Sequence, residues 1–478
     1  MGGLSAACYA RLSGLDVNVF EMHALPGGMC TAWNRSGYTF DGCIHHLAGC
    51  HPASPLYGMW EELGAVPREI IFPEDLVQVE APDGRKVTVF TDLERLEDHL
   101  LDLFPDDARW IRSYVRALHR MIPHDLLEVP LTGIPGLLQH TTVLPTLIKW
   151  GRVTMRQEAE RLKDPFLRQA FPAFQYDMPD IPALIHLNLL AQCAGRNYGF
   201  PAGGSLAFSR SIEERVRALG GKVTYGARVV RILTERGRAY GVQLEDGSEH
   251  RADAVISNAF ERTTLLDLLG GKHVDNTTRV RMADPQDQMI MGTHVSLGVR
   301  RDLSEEPRGV VLLLEESHRL ADQTIDRLPI EFYGFDPSLA PSSTGVIKVL
   351  LHASYRFWRD LNADPARYGE AKSELARRVI ALLEPRFPGL SGDVETIDVA
   401  TPMTTERFTG NERAYGSSEG FDPSLILSRP RSTSDVRRLY WIGQSAGGAG
   451  IPGCAAQGRG AVRALCRELG LRFGGRTL

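Results

Sequence analysis

The chain has 478 residues, 43% hydrophobic and 24% charged, a composition that excludes a disordered protein and leaves core enough for two or three domains. Its 54 basic and 59 acidic residues give a net charge of −5, which argues against a dedicated nucleic-acid surface while leaving phosphate-bearing small molecules open. Seven cysteines, an odd number with no Cys-x-x-Cys pair, fit a reducing compartment, so the cytoplasm is the expected location.

The first stretch, "MGGLSAACYARLSGLDVNVFE", reads as a glycine turn, a helix with Ser5, Ala6, Ala7 and Ala10 on one face, and a strand ending at Glu21. A glycine-rich loop, "ALPGGMCTAWNRSGYTFDG", follows. Residues 75–90 alternate with period two around an Asp-Gly pair and predict a β-hairpin. Residues 92–220 carry mostly helical periodicity, with "DLERLEDHLLDLF" and "DDARWIRSYVRALHRMI" the clearest amphipathic runs. Within them, residues 125–150 are apolar but broken by Pro130, Pro135 and Pro145, so they do not supply the roughly 18 uninterrupted residues of a spanning helix. That stretch reads either as a peripheral membrane contact or as a buried helix, loop and helix.

From 203 the pattern returns to helix, strand, hairpin and the apolar strand "ADAVISNA". Four runs between 290 and 352, "THVSLGVR", "GVVLLLE", "IEFYGF" and "GVIKVLLHA", predict one antiparallel or mixed sheet. The C-terminal "RLYWIGQSAGGAGIPGCAAQGRGAVRALCREL" predicts a strand, a glycine-rich loop and a helix beginning near Pro452.

A helix opening after a glycine turn offers unpaired N–H groups and a partial positive charge, which together hold a pyrophosphate. Gly2 and Gly3 suit that turn, and Glu21, 18 residues beyond Gly3, stands where the next strand delivers a carboxylate to a ribose hydroxyl. Gly27 and Gly28 let backbone approach a bulky cofactor. The 443–453 loop is a third phosphate-compatible glycine turn. Cys43, His45, His46, Cys50 and His51 invite a metal reading, but their spacing matches no familiar zinc pattern and no metal is expected. His45 and His46 are instead candidates to line a pocket or to anchor their loop by hydrogen bonds, one of them able to exchange a proton near neutrality, with a packed loop histidine as the other reading. Arg407, Asn411 and Arg413 are candidates for holding a cofactor or the polar end of a substrate, with plain surface charge as the other reading.

The order "GGLSAA…VFE…LPGGMCTAW…GYTFDGCIHHLAG", then "FPAGGSLAFSRSIEERVRALGGKV", "TPMTTERFTGNERAYGS" and "LYWIGQSAGGAGIPGCAAQGRGA" resembles the phytoene desaturase and retinol saturase group of FAD-dependent oxidoreductases, over nearly the whole chain. The resemblance implies an α/β protein with a discontinuous Rossmann-like FAD-binding domain at 1–74, 196–265 and 401–478. An α+β substrate domain with a mixed sheet and a helical insertion would occupy 75–195 and 266–400. It places FAD contacts at Gly2, Gly3, Glu21, Gly27, Gly28, Met29, Val229, Val230, Gly443, Gly450, Ile451, Pro452 and Gly453. It implies hydride transfer at flavin N5 to or from a C–C bond of a long apolar polyene or isoprenoid lipid. The chain departs from the family in carrying "GGAG" near its C-terminus, and in lacking the first strand and first two glycines. Because that strand is central in such a sheet, the natural product is expected to be longer than this chain. Two alternatives share the architecture: an amine-oxidase-like flavoenzyme, for which Tyr38, Phe40, Tyr440 and Trp441 would be cage candidates, and a cofactor-deficient scaffold that binds prenyl groups or lipids.

Overall fold

The computed structural model describes residues 1–129, 131–132, 141–274, 279, 288–412, 431–432, 436–448 and 450–476. Gly2–Leu12 forms the first helix (α1), and Asn18–Phe20 the strand after it (β1), with Glu21 immediately beyond. Ala32–Arg35 (β2) and Tyr38–Asp41 (β3) make a hairpin whose register sets Ala32 opposite Asp41. The expected second hairpin is Asp75–Glu80 (β4) with Lys86–Phe90 (β5), turning at Gly84 with φ +87°.

The helical stretch follows. Leu93–Leu103 (α2) is capped by Asp92, whose carboxylate accepts from the N–H groups of Glu94 and Arg95. Ala108–Met121 (α3), Leu144–Gly151 (α4) and Ala183–Ala194 (α5) pack with α2 around Trp150, Phe171 and Phe174. No described helix is long and apolar enough to cross a membrane.

Gly204–Ala218 (α6) begins after Gly203, at φ +84°. Lys222–Thr224 (β6) then pairs in parallel with β1. Val229–Glu235 (β7), Arg238–Leu244 (β8) and Glu249–Arg251 (β9) form an antiparallel meander, and Val255–Ser257 (β10) follows it. Gln288–Val299 (β11), Gly309–Leu320 (β12), Gln323–Phe332 (β13), Gly345–Ser354 (β14) and Val394–Ala400 (β15) join the β4–β5 hairpin in one seven-stranded sheet, ordered β15-β11-β14-β13-β12-β4-β5. Only the β12 and β4 pairing is parallel, so the sheet is mixed, as its alternating runs imply. Tyr355–Asn362 (α7), Pro365–Leu383 (α8) and Pro402–Thr409 (α9) flank it.

Leu439–Trp441 (β16) pairs in parallel with β10, and Gly450–Leu469 (α10) ends the regular structure. α10 starts two residues before Pro452, which leaves the proline in the first turn, where its missing N–H matters least. The parallel sheet is thus in two pieces, β1 with β6 and β10 with β16. Among the described residues no strand joins them, and α1 packs against both. The small residues of α1 have a physical reason: Ser5 donates to the carbonyl of Ala455 at 2.7 Å, and the helix lies so close to α10 that a Cβ on Gly458 would collide with the carbonyl of Gly2.

Candidate functional site

A cavity of about 2180 Å³ opens where α1, the glycine loops and the large sheet meet. Ligand pockets commonly run to about 300–1,000 Å³, so this one has room for a large cofactor and a substrate together. Its wall includes Met1 to Leu4 at the positive end of α1, whose first N–H groups have no intrahelical acceptor. A Cβ on Gly2 would stand 2.6 Å from Oδ1 of Asn258 and 3.0 Å from the carbonyl of Cys454, so only glycine fits.

Gly27 and Gly28 turn the next loop at φ +97° and +64°. Gly28 has nothing within 4 Å of where its Cβ would be, so its open side faces space that a bound group can fill. Glu21 lines the cavity with one carboxylate oxygen accepting from the N–H of His23 at 2.9 Å. Burial raises its pKa. Val229 and Val230 also line the cavity. Val230 falls at a register shift between the β7 and β8 pairs, so its backbone stands outside the ladder. Gly443, at φ +103°, donates its N–H to Oε1 of Gln457 at 2.8 Å, which ties the last glycine loop to α10.

Of the thirteen residues the resemblance places on FAD, Gly2, Gly3, Glu21, Gly27, Gly28, Met29, Val229, Val230, Gly443, Gly450 and Ile451 line this one cavity. Pro452 and Gly453 do not: both are buried in the first turn of α10, behind Ile451. Arg407 and Asn411 are on the rim, and Arg413 lies outside the described residues. Tyr38, Phe40, Tyr440 and Trp441 are core residues, off the cavity wall, and do not form a cage.

His45 and His46 require a correction, since neither lines the cavity. The Nδ1 of His45 is drawn 2.5 Å from Oε1 of Glu331, and Arg308 donates to the His45 carbonyl. Nδ1 of His46 lies 3.8 Å from Sγ of Cys193. They stand behind the wall in a buried network. In it, Nζ of Lys348 meets Oε2 of Glu331 at 2.8 Å, donates to the Tyr333 hydroxyl at 2.5 Å and reaches the Asp41 carbonyl at 3.3 Å. Burial alone would raise the Glu331 carboxyl, but His45 and Lys348 outweigh it and hold the group well below the carboxylate range. Cys50 and His51 point elsewhere, Cys50 to the carbonyl of Leu47 and His51 to the N–H of Ala53. Among the described residues no three His, Cys, Asp or Glu side chains are placed to hold a metal.

Residues that sequence reasoning missed complete the wall. His294 on β11 lines it, and burial, reinforced by Lys348 and His45, lowers its pKa to about 3. Its imidazole is therefore neutral across the physiological range. Asn258, just past β10, sits at the meeting point of Gly2, Gly3 and Gly443. The apolar strand ending in "SNA" was the available signal. The rest of the wall comes from β11, β15 and α7 to α9, and among the described residues none from 44–222 lines this cavity.

Residues 1–466 match the family described as flavin containing amine oxidoreductase. The chain belongs to that family. It is an FAD-dependent oxidoreductase, and its glycine cradles suit the cofactor. This family member is 26% identical over 501 residues to the chloroplastic prolycopene isomerase of Arabidopsis thaliana, covering 100% of this chain and 83% of the relative. It is 24% identical over 496 residues to a lycopene-forming phytoene desaturase of a Paracoccus species, covering 98% and 96%. A putrescine oxidase structure superposes with TM-score 0.59 at 13% identity over 98% of this chain and 97% of that one, a likeness of fold.

Proposed function

We propose that this flavoenzyme adds or removes hydrogen at, or isomerises, C–C bonds of a long apolar polyene or isoprenoid lipid. The observation that carries the reading is one cavity lined both by the dinucleotide-type glycine turns and by Met291, Gly292, His294, Val399, Ala400 and Met403. The similarity to carotenoid enzymes along nearly the full chain supports the same class.

In this reading residues 1–74, 196–265 and 401–478 hold the cofactor, and 75–195 with 266–400 form the substrate half. The N–H groups of Gly2 and Gly3 take the pyrophosphate, Glu21 accepts from a ribose hydroxyl, and the backbone of Val229 and Val230 meets the adenine end. Bound FAD supplies a two-electron hydride site at N5. The protein positions an apolar chain beside it and excludes water, and neutral His294 presents an uncharged hydrogen-bonding ring at the wall.

The test is reconstitution with FAD, judged by the visible flavin spectrum, followed by anaerobic incubation with a panel of polyenes and of aliphatic amines and product analysis. Conversion of a polyene supports the reading. Flavin reduction by amines, with every polyene unchanged, overturns it. We further infer peripheral membrane contact through 125–150, where Leu144 and Ile148 are exposed one turn apart on α4. Flotation with anionic vesicles should fall on replacing both by serine, and equal flotation would refute the contact.

A further inference from the structure

Three thiols stand on the wall of the cavity: Cys30, Cys43 and Cys454. Two of them are paired by the hairpin that carries them. β2 and β3 set Ala32 opposite Asp41, and the N–H of Gly42 donates to the Thr31 carbonyl at 2.9 Å, which carries the pairing one step further. Cys30 and Cys43 each stand one residue beyond that bonded pair, on the two chains of the hairpin just outside its strands. The two sulfurs are near enough that each acts on the other's ionisation. A disulfide spans Cα atoms roughly 4.4–6.8 Å apart, the scale of neighbouring positions across a hairpin.

Both positions are anchored. The Cys30 carbonyl accepts from Ser209 Oγ at 2.5 Å, and its Sγ lies 3.7 Å from the carbonyl of Ser205. The Cys43 N–H donates to Asp41 at 2.9 Å, and Asp41 is itself held by the Ser205 hydroxyl at 2.7 Å. The two thiols are also unequal. Burial opposes a charge on Cys30, yet hydrogen bonds from Cys43 and Ser209 outweigh it and keep this thiol below its usual pKa. Cys43, the donor in that bond and buried, is pushed well above. A thiol that ionises more readily beside one that ionises less readily is the arrangement that thiol–disulfide exchange uses.

We propose that Cys30 and Cys43 are a redox-active dithiol that exchanges two electrons and two protons with the FAD held in the same cavity. Closing the pair breaks two S–H bonds and forms one Sγ–Sγ bond, and the two electrons and two protons reduce oxidised FAD to its dihydro form. The reverse step returns them. The flavin thereby gains a route for electrons that does not pass through its C–C substrate. The inference rests on the cofactor and not on the polyene reading.

Two measurements on the full chain test it. In the chain without FAD, oxidation with diamide should lower the alkylatable thiols from seven to five, seven less the two joined, with a Cys30 to Cys43 crosslinked peptide found by mass spectrometry. With FAD bound, anaerobic dithionite titration of the oxidised protein should take up about four electrons per flavin, two for FAD and two for the disulfide. Cys43→Ser should lower the uptake to about two. Seven thiols surviving oxidation, a crosslink to Cys454 instead, or two electrons per flavin in the unaltered protein would each overturn the proposal. The peptide readout needs neither the variant nor the cofactor, so a misfolded variant leaves the outcome decided.

Discussion

Gly27 and Gly28 are neighbours in the chain and differ in what a methyl group would meet. At Gly27 a Cβ collides with the Cys30 carbonyl and the Ser209 hydroxyl, and φ is +97°. Gly27→Ala should therefore lose about 2 kcal/mol or more of stability, read from the urea midpoint. At Gly28, φ is +64° and the space is open, so Gly28→Ala should lose only about 1 kcal/mol while weakening FAD binding by about tenfold, read by flavin fluorescence. Equal effects on FAD would refute the view that Gly28 faces the cofactor. Glu331 tests the network behind the wall. Glu331→Gln leaves the Lys348 charge buried beside a neutral partner and should destabilise by about 3–5 kcal/mol. The double variant with Lys348→Met should be the more stable of the two. Both glycines are legible in the sequence as a pair, but their different roles are not, because what lies across from each comes from α6 or from empty space.

At the scale of elements, the crossing of α1 and α10 decides where the glycine turn at the start of α1 points. Gly458 lies within α10, so alanine there would favour the isolated helix by about 1 kcal/mol. In the folded chain its Cβ would meet the Gly2 carbonyl and, at 2.8 Å, the Ala6 nitrogen. Gly458→Ala should leave the far-ultraviolet circular dichroism unchanged and reduce FAD affinity by about tenfold, because it displaces the start of α1. Helices and hairpins were readable from period and turn residues: Asp83-Gly84 marks its turn, and Leu93, Leu96 and Leu100 mark the buried face of α2. Sheet order was not, since β12 lies parallel to β4 across more than two hundred residues of chain, a pairing no local pattern encodes. For the same reason His45 reads as a pocket residue until Glu331, on β13, is seen to hold it away from the cavity.

For the whole molecule, acid should be the weakness. His186, buried between the Tyr114 hydroxyl at 2.7 Å and Gln175 at 3.3 Å, has its pKa lowered by burial to about 3, as does His294 by burial and nearby cations. Below about pH 6.5 the unfolded chain binds protons that these rings refuse, so stability falls as pH drops toward 3, by up to about 1.4 kcal/mol per pH unit for each ring. Glu331 adds to this only below about pH 4.5, where the unfolded carboxyl protonates and the folded one, held low, does not. Urea midpoints at neutral, mildly acidic and strongly acidic pH check this, and a flat profile between pH 7 and 5 would refute it. By itself the sequence determined the cofactor class and picked out residues of which most line one cavity, because glycines that must admit a phosphate or a close backbone leave a spacing that survives in one dimension. Only the tertiary structure decided which groups share the cavity, that the parallel sheet stands in two pieces, and that Cys30 faces Cys43. Those facts depend on residues distant in the chain, or on hairpin register, meeting in three dimensions.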